Sequence, residues 1–119
     1  MRVLVLGGTG ATGEVAARTA TTLPGVDEIV IEDRELIDRE ALLAALRPVD
    51  VVLNIVGPQG DYGCRVLRAA IAAGTHYLDI CDDPRATCAM LELDAEARAA
   101  GVCAIVGMGA NPGIGTLLT

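Results

Sequence analysis

The sequence predicts a doubly wound α/β domain, a parallel sheet with helices on both faces. Three observations point there. Short aliphatic runs recur along the chain, at Arg2–Leu6, Glu28–Asp33, Asp50–Val56, His76–Ile80 and Val102–Val106. Alanine-rich helical stretches with capping residues separate them. The runs are mostly continuous rather than alternating, as expected of strands covered on both sides.

Each element carries its own reason. Arg2–Leu6 is short, branched and aliphatic, which reads as a buried strand. Roughly Ala11–Thr22 reads as a helix, ended by Leu23-Pro24-Gly25. EIVIED, Glu28–Asp33, is a second strand. Asp38 can cap a helix through about Leu46, and Arg47-Pro48 stops it. DVVLNIV, Asp50–Val56, is a third strand closed by Gly57-Pro58. Asp61 can cap a helix over about Tyr62–Ala73, with Gly74 just past its end. HYLDI, His76–Ile80, is a fourth strand. Asp83-Pro84 opens one long helical stretch to about Ala100, with proline at the position where its missing N–H costs nothing. Gly101 ends it, Val102–Val106 is a fifth strand, and GMGANPGIG follows.

The 119 residues are enough for one domain, 1–119, with a real core. Half the chain is hydrophobic, yet it holds two Tyr and no Trp or Phe, so the core is aliphatic and closely packed. The net charge is -7, and the nine basic residues form no run. That argues against nucleic acid and anionic membrane as partners. No apolar run approaches a bilayer span, and the first strand begins at once, so a cytoplasmic protein without a signal peptide is expected. Cys64, Cys81, Cys88 and Cys103 include no C-x-x-C pair, and read as small, buried, reduced hydrophobes.

The junction VLVLGGTGATG is where function is legible. Gly7, Gly8, Gly10 and Gly13 crowd the place where the first strand becomes the first helix. The stretch Gly8-Thr9-Gly10-Ala11-Thr12-Gly13 matches G-x-G-x-x-G, and Gly7, Gly10 and Gly13 also match G-x-x-G-x-x-G. After a strand and before a helix, this is a dinucleotide fingerprint. Gly8 is expected to make the tight turn, Gly10 to admit a pyrophosphate, and Gly13 to let the helix pack on the sheet. The N–H groups at the helix start would hold the phosphates. No P-loop motif is present.

An acidic residue is expected about 20 residues on, and Asp33 stands 20 after Gly13. Its carboxylate can accept the adenosine ribose hydroxyls. Arg34 beside it can pair with a 2′-phosphate, so NAD and NADP both stay open. Asn54 either bonds a cofactor ribose or ties neighbouring backbones together. Gly57 and Pro58 form a turn that would flank the nicotinamide. His76, the one histidine, reads as structural, and Tyr62 as packing. Asp79, Asp82 and Asp83 fall at the edge for a substrate-facing carboxylate, with Asp83 equally a helix cap; no metal site is expected. No catalytic residue stands out.

The blocks VLVLGGTGATG, EIVIEDR, DVVLNIVGP, DYGCRVLRAAIAAGTHYLDICDD and GMGANPG together resemble the NADP-binding domain of the saccharopine dehydrogenase family, also called saccharopine reductase-like proteins. The resemblance spans nearly the whole chain. It implies a Rossmann-like fold, NADP or NAD as cofactor, and hydride transfer at a carbon bonded to nitrogen. Carried over, Gly8, Gly10 and Gly13 become the dinucleotide loop, Asp33 and Arg34 the ribose readers, and Asn54, Gly57 and Pro58 the wall near the nicotinamide. Family members are much longer, with a second domain completing the substrate pocket, which is expected to be absent here. Four residues separate Asp33 from Asp38, where the family has a further helix and strand. One βα unit is therefore missing, and about five strands remain. The expected order is 2-1-3-4-5; the alternative makes strand 28–33 the remnant of the lost strand. The thinned edge can drive homodimerisation. Two other readings stay open, a non-catalytic sensor or assembly module that binds a dinucleotide or nothing, and a thiol-redox or metal module resting on the four cysteines.

Overall fold

A computed structural model describes residues 1–33 and 38–119. Its sheet has five parallel strands in the order β2-β1-β3-β4-β5. The strands are β1 (Arg2–Leu6), β2 (Glu28–Glu32), β3 (Val51–Asn54), β4 (His76–Asp79) and β5 (Ala104–Ile105). β2 lies directly beside β1, in register from Arg2↔Glu28 to Leu6↔Glu32. The order is the 2-1-3-4-5 that the sequence led us to expect.

β1 is central and buried on both faces. Leu4 and Leu6 face a large core with Leu42, Leu43 and Leu46 of α2 (Arg39–Leu46), Val66 and Leu67 of α3 (Gln59–Ala73), and Ala86 and Met90 of α4 (Pro84–Leu91). Val3 and Val5 face a small cluster with Ala17 of α1 (Ala11–Ala20). A fully buried aliphatic side chain contributes roughly 1.5–3 kcal/mol. The α2–α3–α4 side therefore carries most of the stability, while α1 positions the loop that precedes it.

Several boundaries differ from the sequence reading. Asp38 does cap α2, accepting from Ala41 N at 3.2 Å. α3 begins at Gln59 with Pro58 at the N-cap position, so Asp61 falls inside the first turn rather than before it. The Asp61 side chain, like Arg34, lies outside the described residues. The single helix expected over Pro84–Ala100 is two, α4 and α5 (Asp94–Ala99). The break is at Leu93, whose side chain is buried and whose N–H bonds Met90 O three residues back. Turning that side chain into the core tightens the helix and ends it. β5 is short because the chain turns at Gly107 to bond Asp79. A short helix, α6 (Ile114–Leu117), follows the glycine-rich end.

Candidate functional site

The carboxyl ends of the strands converge on one edge of the sheet, where ligands of open α/β folds lie. The loop after β1 continues the pairing, as Gly7 N donates to Glu32 O at 2.7 Å. Gly7 then takes φ +87, a left-handed conformation that a side chain resists. Gly10 N closes the turn on Gly7 O at 3.2 Å, and Gly10 is the N-cap of α1.

The division of labour among the glycines differs from the expected one. Gly7, not Gly8, makes the tight turn. Gly8 lies against β2, where a Cβ would come within 2.6 Å of Ile31 Cγ2. At Gly13 a Cβ would sit 2.0 Å from Gly7 O and 2.7 Å from Gly8 Cα. Gly13 therefore packs the helix against its own loop rather than against the sheet. At Gly10 a Cβ would meet only Gly7 O, at 3.6 Å, leaving its other side open. The spacing that governs the turn is thus Gly7-x-x-Gly10-x-x-Gly13.

Beyond this loop is a cleft of about 410 Å³. Gly7, Thr9 and Gly10 line one side, Asp33 the end of β2, and Ile55, Val56 and Gly57 the loop after β3. The N–H groups of Ala11, Thr12 and Gly13 have no acceptor within the helix and form the positive end of its dipole. Thr9 Oγ1 donates to Asp33 Oδ2 at 2.5 Å, fastening the loop to the end of β2. Gly57 joins the exposed Pro58 through a cis peptide.

Asn54 does not line the cleft. It is fully buried, accepts from Val56 N at 3.2 Å, and donates Nδ2 to Tyr77 Oη at 3.0 Å. Its side chain joins the backbone N–H of Val56 to the Tyr77 hydroxyl. Tyr77 Oη in turn donates to Asp79 Oδ2 at 2.7 Å. Asp79 Oδ1 accepts from Cys81 N at 3.0 Å and Gly107 N at 2.8 Å. Burial first, and the charge of Asp79 second, push the Tyr77 hydroxyl pKa up, so it stays protonated. Asp79 is thus a buried anchor for two loops, not the substrate-facing carboxylate its position in the sequence suggested. Tyr77 was missed altogether. The available signal was alternation, which puts Tyr77 and Asp79 on one face of β4.

The other candidates separate. Asp83 caps α4, accepting from Arg85 N at 2.8 Å and Ala86 N at 3.1 Å. Asp82 is exposed. His76 opens β4 at the opposite edge, accepting from Cys103 N through Nδ1. Tyr62 packs half-buried against the large core. Only Cys81 is fully buried among the cysteines; Cys88 and Cys103 are exposed, contrary to the expectation for all four. Burial pushes the Cys64 thiol up, with Arg68 opposing. Among the described residues no group of three or more His, Cys, Asp or Glu could hold a metal, and no helix is long and apolar enough to cross a membrane.

Comparison with known proteins gives three findings of use. Residues 35–105 match the family described as Saccharopine dehydrogenase NADP binding domain. That stretch runs through β3, α3 and β4 and leaves the glycine loop and Asp33 outside it. The fold is shared with apo saccharopine dehydrogenase (L-Glu forming) from Saccharomyces cerevisiae, at TM-score 0.81 and 21% identity. That match covers 98% of this chain and 29% of the yeast chain. An NAD-binding protein from Listeria innocua matches at TM-score 0.65 and 19% identity, over 88% of this chain and 34% of that one. The chain spans about a third or less of the length of these two proteins.

Proposed function

The chain belongs to the saccharopine dehydrogenase NADP-binding domain family, and from that premise we propose that residues 1–119 are the cofactor-holding part of an oxidoreductase. Membership implies NADP(H) as the cofactor. The observation that carries the reading is the cleft between the glycine loop and the loop after β3, with Asp33 at its end.

The residues present fit a dinucleotide. The open side of Gly10 admits a pyrophosphate to the backbone, and the N–H groups of Ala11, Thr12 and Gly13 offer it donors. Gly7, Gly8 and Thr9 hold the loop in that shape. Asp33 faces the ribose of the adenosine, and Arg34 reads its 2′-phosphate. Ile55, Val56, Gly57 and Pro58 supply an apolar wall that keeps water from the nicotinamide, with Asn54 behind it. When bound, the cofactor supplies hydride, exchanged in this reading with a carbon bonded to nitrogen. A second, substrate-binding domain is needed for that step, and 1–119 alone turns over slowly or not at all. A cytoplasmic homodimer completes the proposal. The alternative is a non-catalytic dinucleotide sensor; steady oxidation of NADPH with an imine substrate rules it out, while no turnover by 1–119 alone fits both readings.

The test is calorimetric titration of the folded chain with NADPH and with NADH. Micromolar binding of NADPH, lost in Gly10→Leu while the fold persists, is the expected result. A folded wild-type chain that binds neither nucleotide overturns the reading.

A further inference from the structure

From the buried hydrogen-bonded chain Asn54–Tyr77–Asp79, we infer that Tyr77 is a positioning residue that holds the wall of the cofactor cleft in register with the loops after β4 and β5. The binding consequence rests on the function proposed above; the structural coupling does not.

Asn54 Oδ1 accepts the N–H of Val56, a cleft-lining residue. Asp79 Oδ1 accepts the N–H groups of Cys81 and Gly107, which start the loops after β4 and β5. Met108 N also bonds Asp79 O at 2.9 Å, so that strand end is gripped by backbone and side chain alike. Tyr77 Oη joins the ends, accepting from Asn54 Nδ2 at 3.0 Å and donating to Asp79 Oδ2 at 2.7 Å.

No member of this chain is more than 2% exposed. Water is not at hand to replace a lost partner, and a buried polar group left unpaired costs more than a hydrogen bond nets when made. Elsewhere in the large core the hydroxyl meets only the weak acceptor Met90 Sδ, at 3.7 Å among the described residues, while Leu4, Val52 and Leu67 pack as aliphatic side chains. A phenylalanine would occupy the same space. What it cannot do is join Asn54 to Asp79, and so the three loops lose their common tie.

The arrangement has a polarity that can be reversed. Both Oδ1 atoms accept backbone N–H groups, and both remaining side-chain atoms face the tyrosine hydroxyl. In the double variant Asn54→Asp with Asp79→Asn, residue 54 keeps an acceptor for Val56 N. Residue 79 keeps one for Cys81 N and Gly107 N. Its amide now donates to Tyr77 Oη, which donates to residue 54. The bonds described here return with their direction inverted. Either single change breaks the chain. Asn54→Asp sets two carboxylates on one hydroxyl, and Asp79→Asn sets two amides on it.

The experiment measures residue-resolved amide exchange and NADPH affinity for wild type, Tyr77→Phe, the two single variants and the double variant of the full chain. Tyr77→Phe is expected to speed exchange at Val56 and Gly107 by roughly tenfold, with Leu4 unchanged as the control. NADPH affinity should fall by about fivefold, the worth of one net hydrogen bond. The single variants should be impaired likewise, and the double variant should recover most of the exchange protection and the affinity. The inference is overturned by unchanged exchange at Val56 and Gly107 in Tyr77→Phe. It is equally overturned by a double variant as impaired as the singles, or unfolded with them. If wild type binds no NADPH, the cofactor reading fails, while the exchange pattern still decides the coupling.

Discussion

Replacing Gly13 with alanine should be far more damaging than replacing Gly10, although both belong to one fingerprint. The Gly13 Cβ would lie 2.0 Å from Gly7 O, 2.7 Å from Gly8 Cα and 2.8 Å from Gly7 C. All three are backbone atoms, so relief requires the loop and helix to part. Overpacking of this kind costs about 1–3 kcal/mol in a core, and a rigid backbone neighbour puts it at the upper end or above. Alanine recovers about 1 kcal/mol through its better helix propensity. The net loss is about 2 kcal/mol, or roughly 8 °C in Tm at about 4 °C per kcal/mol for a domain of this size. At Gly10 the Cβ makes one ordinary contact at 3.6 Å, and φ -77 suits any residue. The cost there is that of a poorer N-cap, below about 1 kcal/mol. Thermal unfolding of the two variants side by side is the assay. Equal Tm values for Gly13→Ala and Gly10→Ala would refute the reasoning, because the loop would then yield where the geometry says it cannot.

Three further outcomes are expected. The folded state keeps the Tyr77 proton where the unfolded chain releases it, so stability is full below the ordinary tyrosine pKa of about 10 and falls above it. The slope from this one proton reaches about 1.4 kcal/mol per pH unit, and Tyr77→Phe should unfold with a correspondingly flatter alkaline limb; identical limbs would contradict it. Asp83→Ala should lose about 1 kcal/mol by uncapping α4, with faster amide exchange at Arg85 and Ala86 as its local signature. Asp33→Asn keeps an acceptor for Thr9 Oγ1 while removing a negative charge from the end of the cleft where the proposed function puts the adenosine ribose. The ratio of NADPH to NADH affinity should rise several-fold, and an unchanged ratio would remove Asp33 from the ribose site.

Much of this molecule could be read along one line of residues. The five strands and the strand–glycine–helix junction follow from local signals, namely runs of branched residues, caps such as Asp38 and Asp83, and fixed glycine spacing. Each depends on neighbours within a few residues, which is why a sequence displays it. Asp33 was found by counting, and the bond from Thr9 puts it beside the loop. What the tertiary structure decided is pairing between distant residues. The helix break at Leu93 depends on a core that residues far along the chain build. The roles of Gly7, Gly8 and Gly13 depend on which atom meets which across a turn. Asn54, Tyr77 and Asp79 are separated by up to 25 positions, from 54 to 79, and become one buried chain only when β3 and β4 align in register. Alternation shows which face a side chain takes; only the folded sheet brings its partner within 3 Å.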